Sequence, residues 1–105
     1  PLDELIQENE WAEALKVTRF RYKTGPTADR PALLYREALC LEFSGDTKGA
    51  SEVYAKLTET TGAESGPARL GLARCRLAEN RIDEARSLLS GMMLLAEIPS
   101  VKGHN

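Results

Sequence analysis

The sequence has few of the residues from which catalytic and metal sites are built. Its 105 residues include one histidine, His104, and two cysteines, Cys40 and Cys75. The cysteines do not have the Cys-x-x-Cys spacing of a zinc or redox pair. No phosphate-binding glycine loop, nucleophile motif or pair of catalytic carboxylates is present. We therefore expect no catalytic residue, metal ion or cofactor, and we interpret both thiols as small buried apolar groups.

Long apolar runs and alternating strand patterns are also missing. No run approaches the ~20 apolar residues of a membrane span, and no basic segment precedes an apolar one as in a signal peptide. A net charge of -2 provides no overall field that would attract nucleic acid or an anionic membrane. We predict an all-α protein without nucleic-acid or membrane partners, and the thiols favour a cytoplasmic location. Because the chain opens on Pro1, we also expect it to be part of a longer protein.

Apolar residues recur at helical spacing in three consecutive pairs of segments. The pairs cover about residues 1–25, where the first helix is cut short, then 30–62 and 66–98. Together they predict one helical domain over residues 1–99, followed by a flexible tail at 100–105.

The pattern also assigns faces and ends to these helices. In the third pair, the apolar face of the first helix is expected to consist of Leu70, Ala73 and Leu77, and the inward face of the second of Ile82, Ala85, Leu88 and Leu89. Gly25 precedes a proline and is expected to adopt a left-handed cap conformation, and Asp29 is a suitable N-cap for the next helix.

A turn followed by an alanine marks the centre of each pair. Ala14, Ala50 and Ala85 are 36 and 35 residues apart, and the last two follow the turn residues Gly45 and Asn80. Helix–turn–helix units with such a period stack as repeats. A small side chain lets two helices cross closely, so we expect each alanine to lie at a helix crossing.

At these positions the sequence resembles the tetratricopeptide repeat family. The second copy matches through Ala38, Gly45-Asp46, Ala50 and Tyr54, and the third through Ala73, Asn80-Arg81, Ala85 and Leu89. The resemblance implies a right-handed superhelix of about three antiparallel helix pairs. It also implies a concave groove that holds a protein or peptide segment.

Projection of the helix faces suggests which residues would line that groove. The candidate peptide-binding residues are Tyr35, Arg36, Leu39, Glu42, Leu70 and Arg74. The same faces carry Phe43 and Leu77, and we expect Phe43 to pack between neighbouring helices as a core residue. For Tyr35 a core position and a binding position are equally compatible with the pattern.

Some family members bind a C-terminal carboxylate with lysine, asparagine and arginine on their first helices. The corresponding positions here hold Arg36, Pro67 and Gly71. Since only the arginine could contribute, we do not expect that ligand.

The remaining arginines of the third pair have two interpretations. Arg69, Arg74, Arg76, Arg81 and Arg86 could bind an acidic peptide or a nucleic-acid backbone. We prefer ion pairs with acids of the same helix pair, namely Glu79, Asp83 and Glu84.

The last helix carries an apolar segment with no capping helix after it. Met92, Met93 and Leu95 could therefore mediate self-association and form a homo-oligomer. The methionines could equally pack under the tail, with Ile98 and Val101 folding back over them. Three hypotheses follow: a non-catalytic scaffold that binds a protein segment, a self-association module, and an auxiliary domain of a larger chaperone or enzyme.

Overall fold

The structure is a computed structural model that describes residues 10–90 of the chain. It contains helices α1 (Trp11–Thr24), α2 (Arg30–Phe43), α3 (Thr47–Thr58) and α4 (Ser65–Ala78), with a short 3-10 turn at Thr27–Asp29. Residues 82–90 form a further helix, α5. Within this described part there is no β-strand, so the all-α prediction is confirmed.

The helices pack in chain order. Each of α1 to α3 contacts the helix that follows it, and α2 also contacts α4. Such nearest-neighbour stacking is the arrangement of a helical repeat array. The superhelical curvature that the resemblance implies stays a prediction.

The alanines that were predicted to lie at helix crossings are buried. Ala38 of α2 and Ala50 of α3 are fully buried in one core cluster, and Ala73 of α4 and Ala85 of α5 are each 1% exposed. A larger side chain at such a crossing would overpack it, at a cost of about 1–3 kcal/mol.

The main core lies among α2, α3 and α4. Its largest members, Tyr54 and Leu57, project from α3 and are almost completely buried. They pack with Leu41 of α2 and Leu72 of α4. A smaller cluster of Ala14, Leu33 and Cys40 holds α1 against α2.

Two turns use left-handed backbone conformations. Gly45 has φ 105° between α2 and α3, and Asn80 has φ 61° between α4 and α5. Asparagine is one of the few non-glycine residues that adopt this conformation readily. After the first turn, the Asp46 carboxylate accepts a hydrogen bond of 2.9 Å from the Gly49 amide and caps α3.

Both predictions about the connection between α1 and α2 need correction. Gly25 is extended (φ -92°, ψ -178°) and not left-handed, because a residue before proline is driven out of the helical region. A side chain there would also lie 2.8 Å from the Arg21 carbonyl oxygen. Asp29 does stand at the N-cap position of α2, but its side chain makes no capping hydrogen bond.

The predicted inward faces of α4 and α5 are also partly wrong. Leu70 and Leu77 are 43% and 51% exposed, and Ile82 is 49% exposed. The buried face of α4 is built instead from Ala68, Gly71, Leu72, Ala73 and Cys75. Small residues serve here because α3 lies close against them.

Several expectations concern residues outside the described part of the chain. These are the first helix of the first pair, His104, and the candidate self-association residues Met92, Met93 and Leu95.

Candidate functional site

The most connected group of polar side chains joins α2 to α4. Arg74 Nε donates to Glu42 Oε2 at 2.8 Å, and Arg74 Nη2 donates to Glu42 Oε1 at 2.9 Å. The two hydrogen bonds fix the orientation of the guanidinium and strengthen its attraction to the carboxylate. The Glu42 side chain is only 13% exposed and that of Arg74 is 42% exposed, so one face of the arginine remains open to solvent.

A buried tyrosine of α3 anchors the pair from below. The Tyr54 hydroxyl donates to Glu42 Oε1 at 2.7 Å, and its ring lies 6.1 Å from that of Tyr35. The ring fits against α4 because position 71 is glycine: a Cβ there would lie 2.3 Å from Tyr54 Cζ. Glu42 is therefore held by a neighbouring helix pair on one side and by its own pair on the other.

Aromatic rings extend this group towards α1. The Phe43 ring stacks on Trp11 with centroids 5.3 Å apart, and the Arg74 guanidinium carbon lies 5.8 Å from the Phe43 centroid. A cation this close to a ring face is attracted by it. Phe43 nevertheless remains 51% exposed.

The core position predicted for Phe43 is therefore wrong. It is the last residue of α2, at the point where the chain turns towards α3. Within residues 10–90, Trp11 stacks on the ring there and the Arg74 guanidinium lies near it, and about half of the residue stays exposed.

Burial and hydrogen bonding change the pKa of two members of this group. Burial, followed by the hydrogen bond to Glu42, raises the pKa of the Tyr54 hydroxyl above its usual value of 10.0. The hydrogen bond to Glu42 likewise raises the pKa of Arg74. Both shifts favour the protonated form of the side chain.

The two cysteines are buried, as predicted, and are not paired with each other. Burial is the main cause that raises the pKa of the Cys75 thiol to about 11. Burial also raises the pKa of the Cys40 thiol. Thiols in this state are poor nucleophiles at neutral pH.

Exposed apolar side chains flank the open side of Arg74. Leu70 lies one helical turn before it on α4 and Leu77 one turn after it, and both are about half exposed. We call the surface formed by these residues and the facing residues of α2 the α2–α4 face; it comprises Tyr35, Leu39, Glu42, Phe43, Leu70, Arg74 and Leu77. Mixed apolar and arginine surfaces of this kind are common at protein interfaces.

The structure brings some of the predicted site residues together and separates one. Glu42 and Arg74 are in direct contact, and Tyr35 and Leu39 lie half-buried on α2. Arg36 instead lines a hollow at the end of α1, beside Arg21.

The partners of the third-pair arginines agree only in part with the preferred interpretation. Arg76 pairs with Glu79, Arg81 with Glu84, and Arg86 with Asp83. Arg74 departs from it, because it pairs with Glu42 of α2.

The sequence did not identify Tyr54 or Trp11 as members of the site. The only signal for Tyr54 was its position one helical turn after Ala50.

The three positions that correspond to a carboxylate clamp have different surroundings. Gly71 is buried under Tyr54, whereas Pro67 is exposed at the beginning of α4. Arg36 lies on α2, whereas the other two residues lie on α4.

Within the described residues, no three side chains of the metal-binding types come together. In that same part of the chain, no helix combines the length and apolar character that crossing a membrane requires.

Stacked antiparallel helices with small residues at their crossings define a helical repeat protein. A family model described as a tetratricopeptide repeat matches residues 44–97, just over half of the chain. The chain therefore belongs to the tetratricopeptide repeat family. Searches of curated proteins and of solved structures gave no match. Repeats of this family typically mediate protein–protein interactions, which suggests a scaffold function in general terms.

Proposed function

We propose that the α2–α4 face binds an extended or helical segment of another protein and that the chain has no catalytic activity of its own. The observation that carries this proposal is Arg74, which Glu42 holds between Phe43 and the exposed Leu70 and Leu77. Apolar side chains of the partner would cover the leucines and the phenylalanine. The open side of the guanidinium would accept a carbonyl or carboxylate oxygen.

Preorganisation supports this assignment. A free arginine loses much rotamer entropy when it is ordered on binding, whereas Arg74 is already ordered by two hydrogen bonds. Glu42 acts as a positioning residue, since its carboxylate is occupied by Arg74 and Tyr54. Tyr35 and Leu39 would contribute half-buried contact area from α2.

The two buried free thiols suit a reducing compartment such as the cytoplasm.

Peptide display followed by variant binding tests the proposal. Peptides selected from a random display library against the intact chain would be titrated with wild type and with the double variant Leu70→Asp/Leu77→Asp. We expect the double variant to bind at least about tenfold more weakly, because it loses about 1.4 kcal/mol or more of apolar contact.

Phe20→Asp is the matched control, because Phe20 is 67% exposed on α1 and lies outside the α2–α4 face. Circular dichroism would verify that all variants are folded. Selected peptides that bind the double variant as tightly as wild type would place the binding surface elsewhere.

A further inference from the structure

A cleft lies among α1, α2 and α3, and none of the residues that line it belongs to the α2–α4 face. Its volume is about 340 Å³. Such a volume is at the lower end of the range for ligand pockets. It is enough to hold one large side chain together with part of its backbone.

The floor of this cleft is apolar. Leu33 is 7% exposed, and Leu34 is half-buried and packs against the main core. The Tyr22 ring forms one wall and is itself held by Arg30, whose guanidinium carbon lies 4.9 Å from the ring centroid. Thr18 also lines the cleft, but its hydroxyl is satisfied by the Ala14 carbonyl at 2.7 Å. The floor therefore offers an apolar surface, and the Thr18 hydroxyl beside it already has a hydrogen-bond partner.

The rim carries a surplus of positive charge. Arg19, Lys23 and Lys56 line the cleft, against the single carboxylate of Glu37. Arg19 Nε donates to Glu37 Oε2 at 2.9 Å, so this carboxylate is already compensated. Among residues 10–90, neither Lys23 nor Lys56 forms an ion pair within 4.0 Å. The charge that remains available at the rim is that of two lysines on opposite helices.

We propose that this cleft binds an acidic protein segment, with one large apolar side chain on the Tyr22–Leu33–Leu34 floor and carboxylates beside Lys23 and Lys56. Charge complementarity selects this occupant over a neutral one. A nucleic acid fits less well, because it would present phosphates to Glu37 and needs a longer row of cations than these. The chain would then have two interaction surfaces, served by different helices.

The two lysines also have a purely structural explanation, which the test must separate. Each lies in the last turn of its helix, where a cation complements the helix dipole. That role changes the unfolding temperature but requires no ligand, so binding and stability must be measured on the same variants.

The probe is a blocked hexapeptide, Asp-Glu-Phe-Leu-Asp-Glu, compared with its uncharged analogue Asn-Gln-Phe-Leu-Asn-Gln. Titration of the intact chain, followed by amide chemical shifts, should show saturable binding of the acidic peptide at α1–α3. Lys23→Glu/Lys56→Glu should weaken that binding at least about tenfold, the effect of about 1.4 kcal/mol. The uncharged peptide should bind more weakly than the acidic one by a similar factor.

Lys16→Glu/Lys48→Glu is the matched control, because it changes the same net charge on the same two helices outside the cleft. It should leave the affinity within about twofold, at a temperature where all variants are folded. Leu70→Asp/Leu77→Asp should also bind the acidic peptide normally, which separates this proposal from that for the α2–α4 face. Three results would overturn it: no binding to wild type, equal binding of the two peptides, or equal loss in both lysine double variants.

Discussion

The packing of Tyr54 against α4 depends on the absence of a side chain at position 71. The Tyr54 ring occupies the space that a Cβ at Gly71 would need. An alanine there would gain about 1 kcal/mol of helix propensity. The same alanine would force either the ring or α4 to move, and the ring is fixed by its hydrogen bond to Glu42.

We therefore expect Gly71→Ala to destabilise the chain by about 1–3 kcal/mol in urea unfolding. Gly66→Ala is its matched control, since it lies on the same helix and a Cβ there would meet nothing within 4 Å. That substitution should be neutral or should stabilise the chain by up to about 1 kcal/mol. If both variants lost stability equally, the Tyr54–Gly71 contact would not be the cause.

The buried acids of the core make stability depend on pH in the alkaline range. Burial raises the pKa of the Cys75 thiol from 9.0 to about 11, and the pKa of Tyr54 is raised from 10.0 in the same direction. Above about pH 9 the unfolded chain has released protons that the folded chain still binds, so the free energy of unfolding falls as pH rises.

Urea unfolding at pH 8, 9.5 and 10.5 measures this trend. Because the contribution of Cys75 is fully present below its unfolded pKa and is lost towards pH 11, Cys75→Ala should show a shallower decline than wild type. A wild-type stability that stayed constant or increased over this range would contradict the assigned burial of these groups.

At the scale of the helices, Glu42 and Arg74 connect two successive pairs. Their side chains are 32 residues apart in the chain, yet they form two hydrogen bonds between α2 and α4. A partly buried, two-bond pair of this kind should couple more strongly than an exposed ion pair.

A double-mutant cycle with Glu42→Gln and Arg74→Gln measures that coupling in urea unfolding. We expect an interaction energy of about 1–2 kcal/mol, because Glu42 is shielded by Tyr54. The comparison cycle uses Asp83 and Arg86, whose side chains are 97% and 72% exposed, and should give about 0.5 kcal/mol or less. Equal coupling in the two cycles would mean that Glu42–Arg74 behaves as an ordinary surface pair.

The helices and turns could be predicted from the sequence because their signals are local. Helical spacing located α2 to α5, and the alanines at 36- and 35-residue intervals are all buried, as close helix packing requires. Asn80 was predicted to be a turn residue, and asparagine tolerates the left-handed conformation that it adopts there. The ends of α1 and α2 were predicted less well, because Pro26 and a 3-10 turn determine the backbone there.

The site could be predicted only in part, because its contacts join distant segments. Periodicity did not indicate which face of α4 is buried: apart from Leu72 its buried residues are small, while Leu70 and Leu77 are about half exposed. Glu42 and Arg74 were both assigned to the groove, but their pairing depends on the reach of side chains between α2 and α4. Phe43 was predicted to lie in the core because it is apolar. Its apolar character did not show that it is the last residue of α2, where it stays half exposed.

For the whole molecule, the central claim is that a protein segment binds across the α2–α4 face of a stacked repeat array. Amide chemical-shift mapping of the isotope-labelled chain, titrated with a display-selected peptide, tests this most directly. The account predicts that the largest shifts fall on residues 35–43 of α2 and 70–77 of α4. Shifts confined to the opposite faces of these helices, or to α1 and α5 alone, would contradict it.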